Sequence, residues 1–311
     1  MNIIRKSIAI VSIAALSFGA VACNRGEDSA AGAKSVTLAL STQTNPFFVE
    51  LRDGAQEKAD ELGIKLDIQD AGDDASTQTN QLKNAETNGA GVVIVNPVDS
   101  DAVGTAVQSL NSADIPVIAV DRSATTGEVS SFVASDNVAG GKQAADALAK
   151  AIGEEGEILV LQGIAGSSAS RDRGQGFKEG IATYPNIKVV GEQTAKFDRT
   201  EGLNVTTNLL QAHPNVKAIF AENDEMALGA IEALGAKAGK DVKVFGFDGT
   251  ADGLAAIKEG TLTGSIAQQP DELGAKAVEQ AKALLDGQAA EAEVSVEVVT
   301  VTSDNIAEFE K

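Results

Sequence analysis

Eight short apolar runs, each followed by a stretch of helical periodicity, limit what this chain can fold into more than any other feature. The runs are VTLAL (36–40), KLDIQD (65–70), GVVIVN (91–96), PVIAVD (116–121), EILVLQ (157–162), IKVVGE (187–192), VKAIFA (216–221) and VKVFGF (242–247). They read as continuous apolar stretches more than as alternation, the pattern of strands covered on both faces. Between them, Phe48, Leu51, Ala55, Ala59 and Leu62 share one helical stripe, and Val138, Ala145, Leu148, Ala149 and Ile152 share another. This alternation predicts an α/β protein built from doubly wound parallel sheets with right-handed crossovers.

Eight strands are too many for one small sheet, and VSSFVASDN (129–137) divides them into four βα units before and four after. Two further β-rich segments, LTGSIAQQPDE (262–272) and SVEVVTVT (295–302), follow the second set. Three crossings predict two lobes joined by a three-strand hinge, with a helix over 271–287 returning to the first lobe. The expected N-terminal lobe is 36–135 with 269–297, and the expected C-terminal lobe is 136–268 with 298–311. With 311 residues and 43% apolar content, each lobe can bury a core of its own.

Residues 1–22 stand apart. Arg5 and Lys6 precede an apolar run from Ile8 to Ala22, too short for a comfortable membrane span and laid out as a secretory signal peptide. The next residue, Cys23, is the only cysteine of the chain, placed like the lipid-modified first residue of a bacterial lipoprotein. Ordinary cleavage at Ala20-Val21-Ala22 is the alternative. NRGEDSAAGAKS (24–35) has the small, polar composition of a tether, so 23–35 reads as a lipid-anchored leash and lipid as the sole membrane contact.

Removing residues 1–22 moves the formal charge from −20 to −22. A chain this acidic, without a basic stripe, repels phosphate backbones, which argues against nucleic acid as a partner. No later stretch approaches 18 continuous apolar residues, and no cysteine pair exists to form a disulfide. The body is therefore expected to be soluble and held by its core.

In open α/β sheets, ligands bind outside the carboxyl ends of the strands. The residues just past those ends are Asn45, Phe47 and Phe48; Asn96; Asp121 and Arg122; Arg171 after the GIAGSSAS turn; then Phe197, Asn223, Phe247 and Asp248, with Gln268 at a crossing. Amide, carboxylate and guanidinium groups pair with vicinal hydroxyls, and aromatic faces suit the C–H faces of a sugar ring. Asp121 and Asp248 balance Arg122 and Arg171, so the cleft sums to zero and favours a neutral polyhydroxylated ligand. Each nominee has a plainer role available. Asn45 and Asn96 precede Pro and can shape turns, the charged residues can form surface ion pairs, Phe197 and Phe247 can be core, and Asp248-Gly249 can be a turn. Asp224 and Glu225 read as helix-start acids.

The stretches STQTNPFF, VNPVDSDAVG, IPVIAVDR, ASDNVAGG, LQGIAGSSASRDRGQGF, FAENDEMALGA, VFGFDGT and GSIAQQPD resemble, in content and order, those of bacterial ribose-binding proteins, the soluble receptors of ABC importers. The likeness spans nearly all of 36–300. It implies the type I periplasmic binding protein fold and a site for D-ribose at the twelve positions named above. It also implies a permease and an ATPase as partners, no cofactor, a monomeric body and a place outside the cytoplasmic membrane. A related sugar such as allose, xylose or galactose, or a chemoreceptor as the reader of the closed form, remains the alternative.

Enzymatic chemistry finds no support in the sequence. His213 is the only histidine and sits in QAHPNV between a helix and a strand, and no metal cluster is evident. GIAGSS (163–168) lacks both the Rossmann glycine pattern and the Gly-Lys-Ser/Thr end of a P-loop. Sugar-responsive repressors share the two-lobed core, but they carry a helix-turn-helix where this chain carries a signal peptide and a tether.

Overall fold

The computed structural model describes residues 35–309. The first half runs β1 (Val36–Leu40), α1 (Pro46–Glu61), β2 (Leu66–Asp70), α2 (Ala75–Thr87), β3 (Val92–Val95), α3 (Gly104–Ser112), β4 (Val117–Val120) and β5 (Ser131–Ser135). The second runs α4 (Asn137–Ala151), β6 (Gly156–Gln162), α5 (Ser168–Ile181), β7 (Ile187–Thr194), α6 (Arg199–Ala212), β8 (Ala218–Ala221), α7 (Asp224–Leu234), β9 (Lys243–Asp248), α8 (Ala251–Glu259) and β10 (Gly264–Ala267). Then follow α9 (Pro270–Leu285), β11 (Glu293–Val296) and β12 (Val299–Thr302). The eight apolar runs are all strands, offset by two residues at most from the expected bounds.

Two six-stranded sheets result, ordered β11-β5-β4-β3-β1-β2 and β12-β10-β9-β8-β6-β7. Every pairing is parallel except β10 with β12. The segment over 295–302 does not cross as one strand: β11 belongs to the first sheet and β12 to the second, with only Glu297 and Val298 between them. The other crossings fall at Asp136, just past β5, and at Gln268–Gln269, just past β10. They are tied to one another, since Asp136 N–H donates to Val296 O at 3.3 Å and Gln269 Nε2 to Glu297 O at 3.1 Å.

Both faces of each sheet are covered. In the first sheet, α1 and α9 bury Leu51, Ala55, Leu273, Ala277 and Val278 against Leu38, Ile94 and Ile118. On its other face α2 and α3 bring Leu82, Val107 and Leu110. In the second sheet Leu148, Ile158, Phe177 and Phe220 form one core, and Val205, Met226, Ala230 and Ile257 belong to the other. Phe177 and Phe220 stack at 4.1 Å between centroids. Full burial of a side chain of this size contributes about 1.5–3 kcal/mol.

α1 starts where it does because Asn45 Oδ1 accepts from Phe47 N–H at 3.0 Å and Pro46 occupies the first turn, where its missing donor costs nothing. The helix can meet α9 only because both carry glycine at the crossing. A Cβ on Gly54 would sit 2.2 Å from Asp271 O, and one on Gly274 would sit 2.1 Å from Leu51 O. Alanine is the better helix former by about 1 kcal/mol, so packing and propensity oppose each other at these sites. Gly54→Ala is expected to lose about 1–3 kcal/mol of unfolding free energy to overpacking, read by urea denaturation; a gain would mean that the two helices do not approach this closely.

Candidate functional site

The carboxyl ends of both sheets converge on one cleft, lined by Asn45, Phe47, Phe48, Asp121, Arg122, Ala169, Arg173, Phe197, Asn223 and Asp248. Eight of the twelve residues expected from the sequence line it. Asn96, Phe247 and Gln268 stand directly behind the wall, and Arg171 lies elsewhere.

The first lobe supplies an aromatic corner and one ion pair. Phe47 and Phe48 meet edge to face at 5.1 Å between centroids. They are 4% and 3% exposed, as part of the core over α1. The Arg122 guanidinium lies 5.1 Å from the Phe48 ring. Its Nη1 donates to Pro97 O at 3.1 Å, and its Nε is 3.6 Å from Asp121 Oδ2. Asn96, fully buried, holds this end together: Oδ1 accepts from Ser41 N–H at 3.2 Å, and Nδ2 donates to Val120 O at 3.1 Å and Asp121 Oδ2 at 3.3 Å.

The second lobe mirrors this arrangement. Arg173 lies over Phe247 at 3.9 Å from the ring centroid. Its Nε donates to Asn137 Oδ1 at 2.8 Å, its Nη1 to Glu222 O at 2.7 Å, and the same Nη1 is 3.5 Å from Asp248 Oδ1. Gln268 Nε2 donates to Asp248 Oδ1 at 2.7 Å. Phe247 therefore supports Arg173 from the core of the second sheet, with no share of the cavity wall. Asn223 caps α7 through Met226 N–H at 3.0 Å and donates to Phe197 O at 3.2 Å. Asn45 and Asn223 are thus helix caps and wall residues at once.

Arg171 departs from the expectation. Its side chain is exposed and donates to Gly166 O at 3.3 Å, while Arg173 takes the cleft position. Two residues along a helix turn by about 200°, so the two arginines face opposite ways. The signal was present in SASRDRGQGF: Ala169, Arg173 and Phe177 recur at the four-residue spacing of the buried stripe, and Arg171 does not. The charge balance survives the exchange, with Asp121 and Asp248 against Arg122 and Arg173.

Three wall residues hold left-handed or otherwise unusual backbone: Asp121 at φ 63°, Phe197 at φ 61° and Asp248 at φ 115°. Such conformations cost on the order of 1–3 kcal/mol each and persist where the surroundings impose them. Electrostatics is similarly constrained. Burial pushes the Asp121 carboxyl up, while Arg122 and Arg173 pull it back. Burial also raises Asp248, with Arg173 opposing and Asp224 adding to the rise. Asp121 Oδ1, Arg122 Nε and Gln268 Oε1 are buried without a hydrogen-bond partner in the protein. Among the described residues, no group of three or more His, Cys, Asp or Glu could hold a metal ion.

The lobes touch directly beside the cleft. Ser100 N–H donates to Gly166 O at 2.9 Å, Ser168 N–H to Ser100 Oγ at 3.2 Å, and Ser123 N–H to Ser168 Oγ at 2.8 Å. Arg122 of the first lobe also lies 5.4 Å from the Phe197 ring of the second. This is a closed arrangement.

Residues 36–289 match the family model described as the periplasmic binding protein domain. The chain belongs to the periplasmic binding protein family. This periplasmic binding protein is 47% identical over 297 residues to the ribose import binding proteins of Salmonella typhimurium and Escherichia coli, covering 96% of this chain and 98% of theirs. It is 45% identical to that of Bacillus subtilis over 84% of this chain and 85% of the relative. Among solved structures, the Caulobacter myo-inositol binding protein bound to myo-inositol is similar with a TM-score of 0.85, at 36% identity over 88% of this chain and 95% of that one. A periplasmic solute binding protein of Actinobacillus succinogenes with bound D-allose is similar with a TM-score of 0.83, at 33% identity over 88% and 99%.

Two further acids of this periplasmic binding protein are buried, which the sequence alone does not show. Asp224 opens α7, as expected of a helix-start acid, and is also fully buried. Its Oδ2 accepts from Thr250 N–H at 2.8 Å and Thr250 Oγ1 at 3.1 Å, and its Oδ1 from Ser265 Oγ at 2.7 Å. Burial pushes it up to about 6. Glu222, 1% exposed, accepts on Oε2 from Gly163 N–H at 2.7 Å and from the Ser170 hydroxyl. Burial pushes its carboxyl from 4.5 up to about 7, against the pull of Ser170, Gly163 and Arg173. A carboxyl raised on folding contributes stability that is complete below the unfolded value and lost as pH rises through the folded one. Glu222→Gln, neutral throughout, is therefore expected to melt above the parent at pH 8, with the difference shrinking toward pH 5; equal melting temperatures at pH 8 would mean that Glu222 ionises freely.

Proposed function

We propose that this chain is the substrate-binding component of an ABC importer and that it captures D-ribose in the interlobe cleft by hinge closure. The observation that carries the reading is a neutral, closed cleft in which Asp121 Oδ1 and Arg122 Nε are buried with no hydrogen-bond partner in the protein, beside aromatic and guanidinium faces. A buried polar atom left unpaired costs about 1–3 kcal/mol, and the hydroxyls of a sugar supply the missing partners. The near full-length likeness to ribose import binding proteins favours ribose among the sugars of that size.

In this reading Phe47, Phe48 and Phe197 pack the ring faces, while Asp121, Arg122, Arg173, Asn223 and Asp248 fix the hydroxyls and Asn45 closes the corner. Asn96, Phe247 and Gln268 hold those groups in place. Ribose binds the closed state better than the open one and shifts the population toward it. The closed form then meets a membrane permease driven by an ATPase, and no bond of the sugar is broken. The body works as a monomer outside the cytoplasmic membrane. Cys23, which lies outside the described residues, carries its lipid anchor. A chemoreceptor that reads the same closed form is a compatible second output. The D-allose-bound neighbour favours, as a second reading, a related sugar in the same cleft.

Calorimetric titration of protein stripped by unfolding and refolding tests the ligand. D-Ribose is expected to bind tightly, and D-allose, D-xylose, D-galactose and 2-deoxyribose to bind more weakly; for the deoxy sugar the expected loss is about 1–3 kcal/mol, because the groups facing the missing hydroxyl stay unpaired. Tight binding of another sugar in place of ribose would establish the second reading. Arg173→Ala is expected to weaken binding by about 2–5 kcal/mol, as for removal of one buried charge partner, whereas Arg171→Ala leaves it unchanged; the reverse order would return Arg171 to the site. Cys23→Ser should release the protein from the membrane fraction, and unchanged partitioning would leave simple secretion.

A further inference from the structure

Glu222 closes β8 immediately before the cleft residue Asn223, and its two ends serve two different elements. The side chain holds the segment between β6 and α5: Oε2 accepts from Gly163 N–H at 2.7 Å, at the end of β6, and from the Ser170 hydroxyl in the first turn of α5. The main chain holds Arg173, three residues further along that helix, through Nη1 to Glu222 O at 2.7 Å. Two of the points at which α5 is gripped near the cleft thus belong to one residue. The remaining oxygen, Oε1, has no hydrogen-bond partner and lies 2.9 Å from where a Cβ on Gly174 would stand, so that a larger residue there would press on the carboxylate. Phe197 is fitted to the same place, since its ring covers the position of a Cβ on Gly163 at 2.1 Å.

The charged groups facing the carboxyl are Arg173 from α5, which favours its ionised form, and Glu192 from β7, which opposes it. No lysine or arginine forms an ion pair with Glu222 among the described residues. An acid kept buried without a salt bridge, and bonded to the helix that carries Arg173 and to the turn before it, is costly to retain unless the geometry it enforces is needed.

We propose that Glu222 is a positioning residue for sugar binding: through Gly163 and Ser170 it fixes the start of α5 and thereby aims Arg173 across the cleft. The proposal rests on the reading in which Arg173 grips the sugar. Glu222 is not itself among the residues that line the cleft, so the effect of its side chain on affinity passes through Arg173.

The test is a double-mutant cycle on the full mature protein, with ribose or whichever of the four sugars the parent binds. Glu222→Ala and Ser170→Ala are each expected to weaken binding, by about tenfold or more for the first and less for the second. Glu222→Gln, which keeps an acceptor for both donors, should recover most of the loss. In an Arg173→Ala background, Glu222→Ala should add less than about twofold. Full additivity of the two losses, or no rescue by glutamine in a variant that melts no lower than the parent, would overturn the proposal. A second readout needs no sugar. The Arg173 Nε–H resonance, identified by its disappearance in Arg173→Ala, should be protected from exchange in the parent and Glu222→Gln and lose that protection in Glu222→Ala. If the parent binds none of the sugars, the ribose reading fails and this resonance alone decides: retained protection in Glu222→Ala overturns the positioning role.

Discussion

Four charges withdrawn from water at one place set the terms for the rest of the molecule. Asp121, Arg122, Arg173 and Asp248 are each no more than 5% exposed. Isolated buried ions are prohibitively costly, so each pair must be both neutral and fully braced. The bracing accounts for residues that otherwise look unrelated. Asn96 orients Asp121, Gln268 orients Asp248, Asn137 and the main chain of Glu222 hold Arg173, and Pro97 O holds Arg122. The pairs themselves are open, at 3.6 Å and 3.5 Å, which leaves both partners with bonding capacity in hand. A site of this kind is better suited to receiving hydroxyls than to stabilising the fold.

The main chain pays part of the same cost. Asp121, Phe197 and Asp248 adopt backbone angles that L-residues avoid, each at or just past the end of a strand. The sheets supply what is needed to hold them. Asp121 N–H donates to Val133 O at 2.8 Å on β5, and Gln268 N–H to Asp248 O at 2.9 Å, so the neighbouring chain holds each of the two strained aspartates. Continuous apolar strands buried on both faces make those clamps rigid. The uniform core and the irregular rim are two parts of one arrangement.

Much of this was legible in the sequence. The eight apolar runs became strands because a doubly covered strand has no polar face to disguise it, and the NPFF stretch became a capped helix start because Asn-Pro leaves the chain few other choices. Arg171 is the first arginine after the turn but faces outward, because the helix has already begun at Ser168; the Ala169 and Phe177 spacing marks Arg173 as the inward one. Glu222 was not legible for a different reason. In a chain with 45 acidic residues, nothing local separates an acid that packs against Gly174 from one that faces solvent. The division of 295–302 into two strands depends on Glu297, whose carbonyl is bonded by Gln269 of another crossing, and a contact between crossings far apart in sequence leaves no periodic trace.

The serine contacts between the lobes have a consequence for the noise of the system. Ser100, Ser123 and Ser168 join the lobes largely through main-chain groups, and short side chains of this kind surrender little rotamer freedom when they engage. None of these bonds passes through the cavity, so they reward closure whether or not the cleft is filled. Apparent affinity improves as the competent conformer becomes more populated beforehand. The same pre-payment shortens the contrast between full and empty protein, and a downstream partner that recognises shape alone would sometimes answer a receptor with no cargo. Sensitivity to scarce ligand and fidelity of reporting are thus set against each other by three serines.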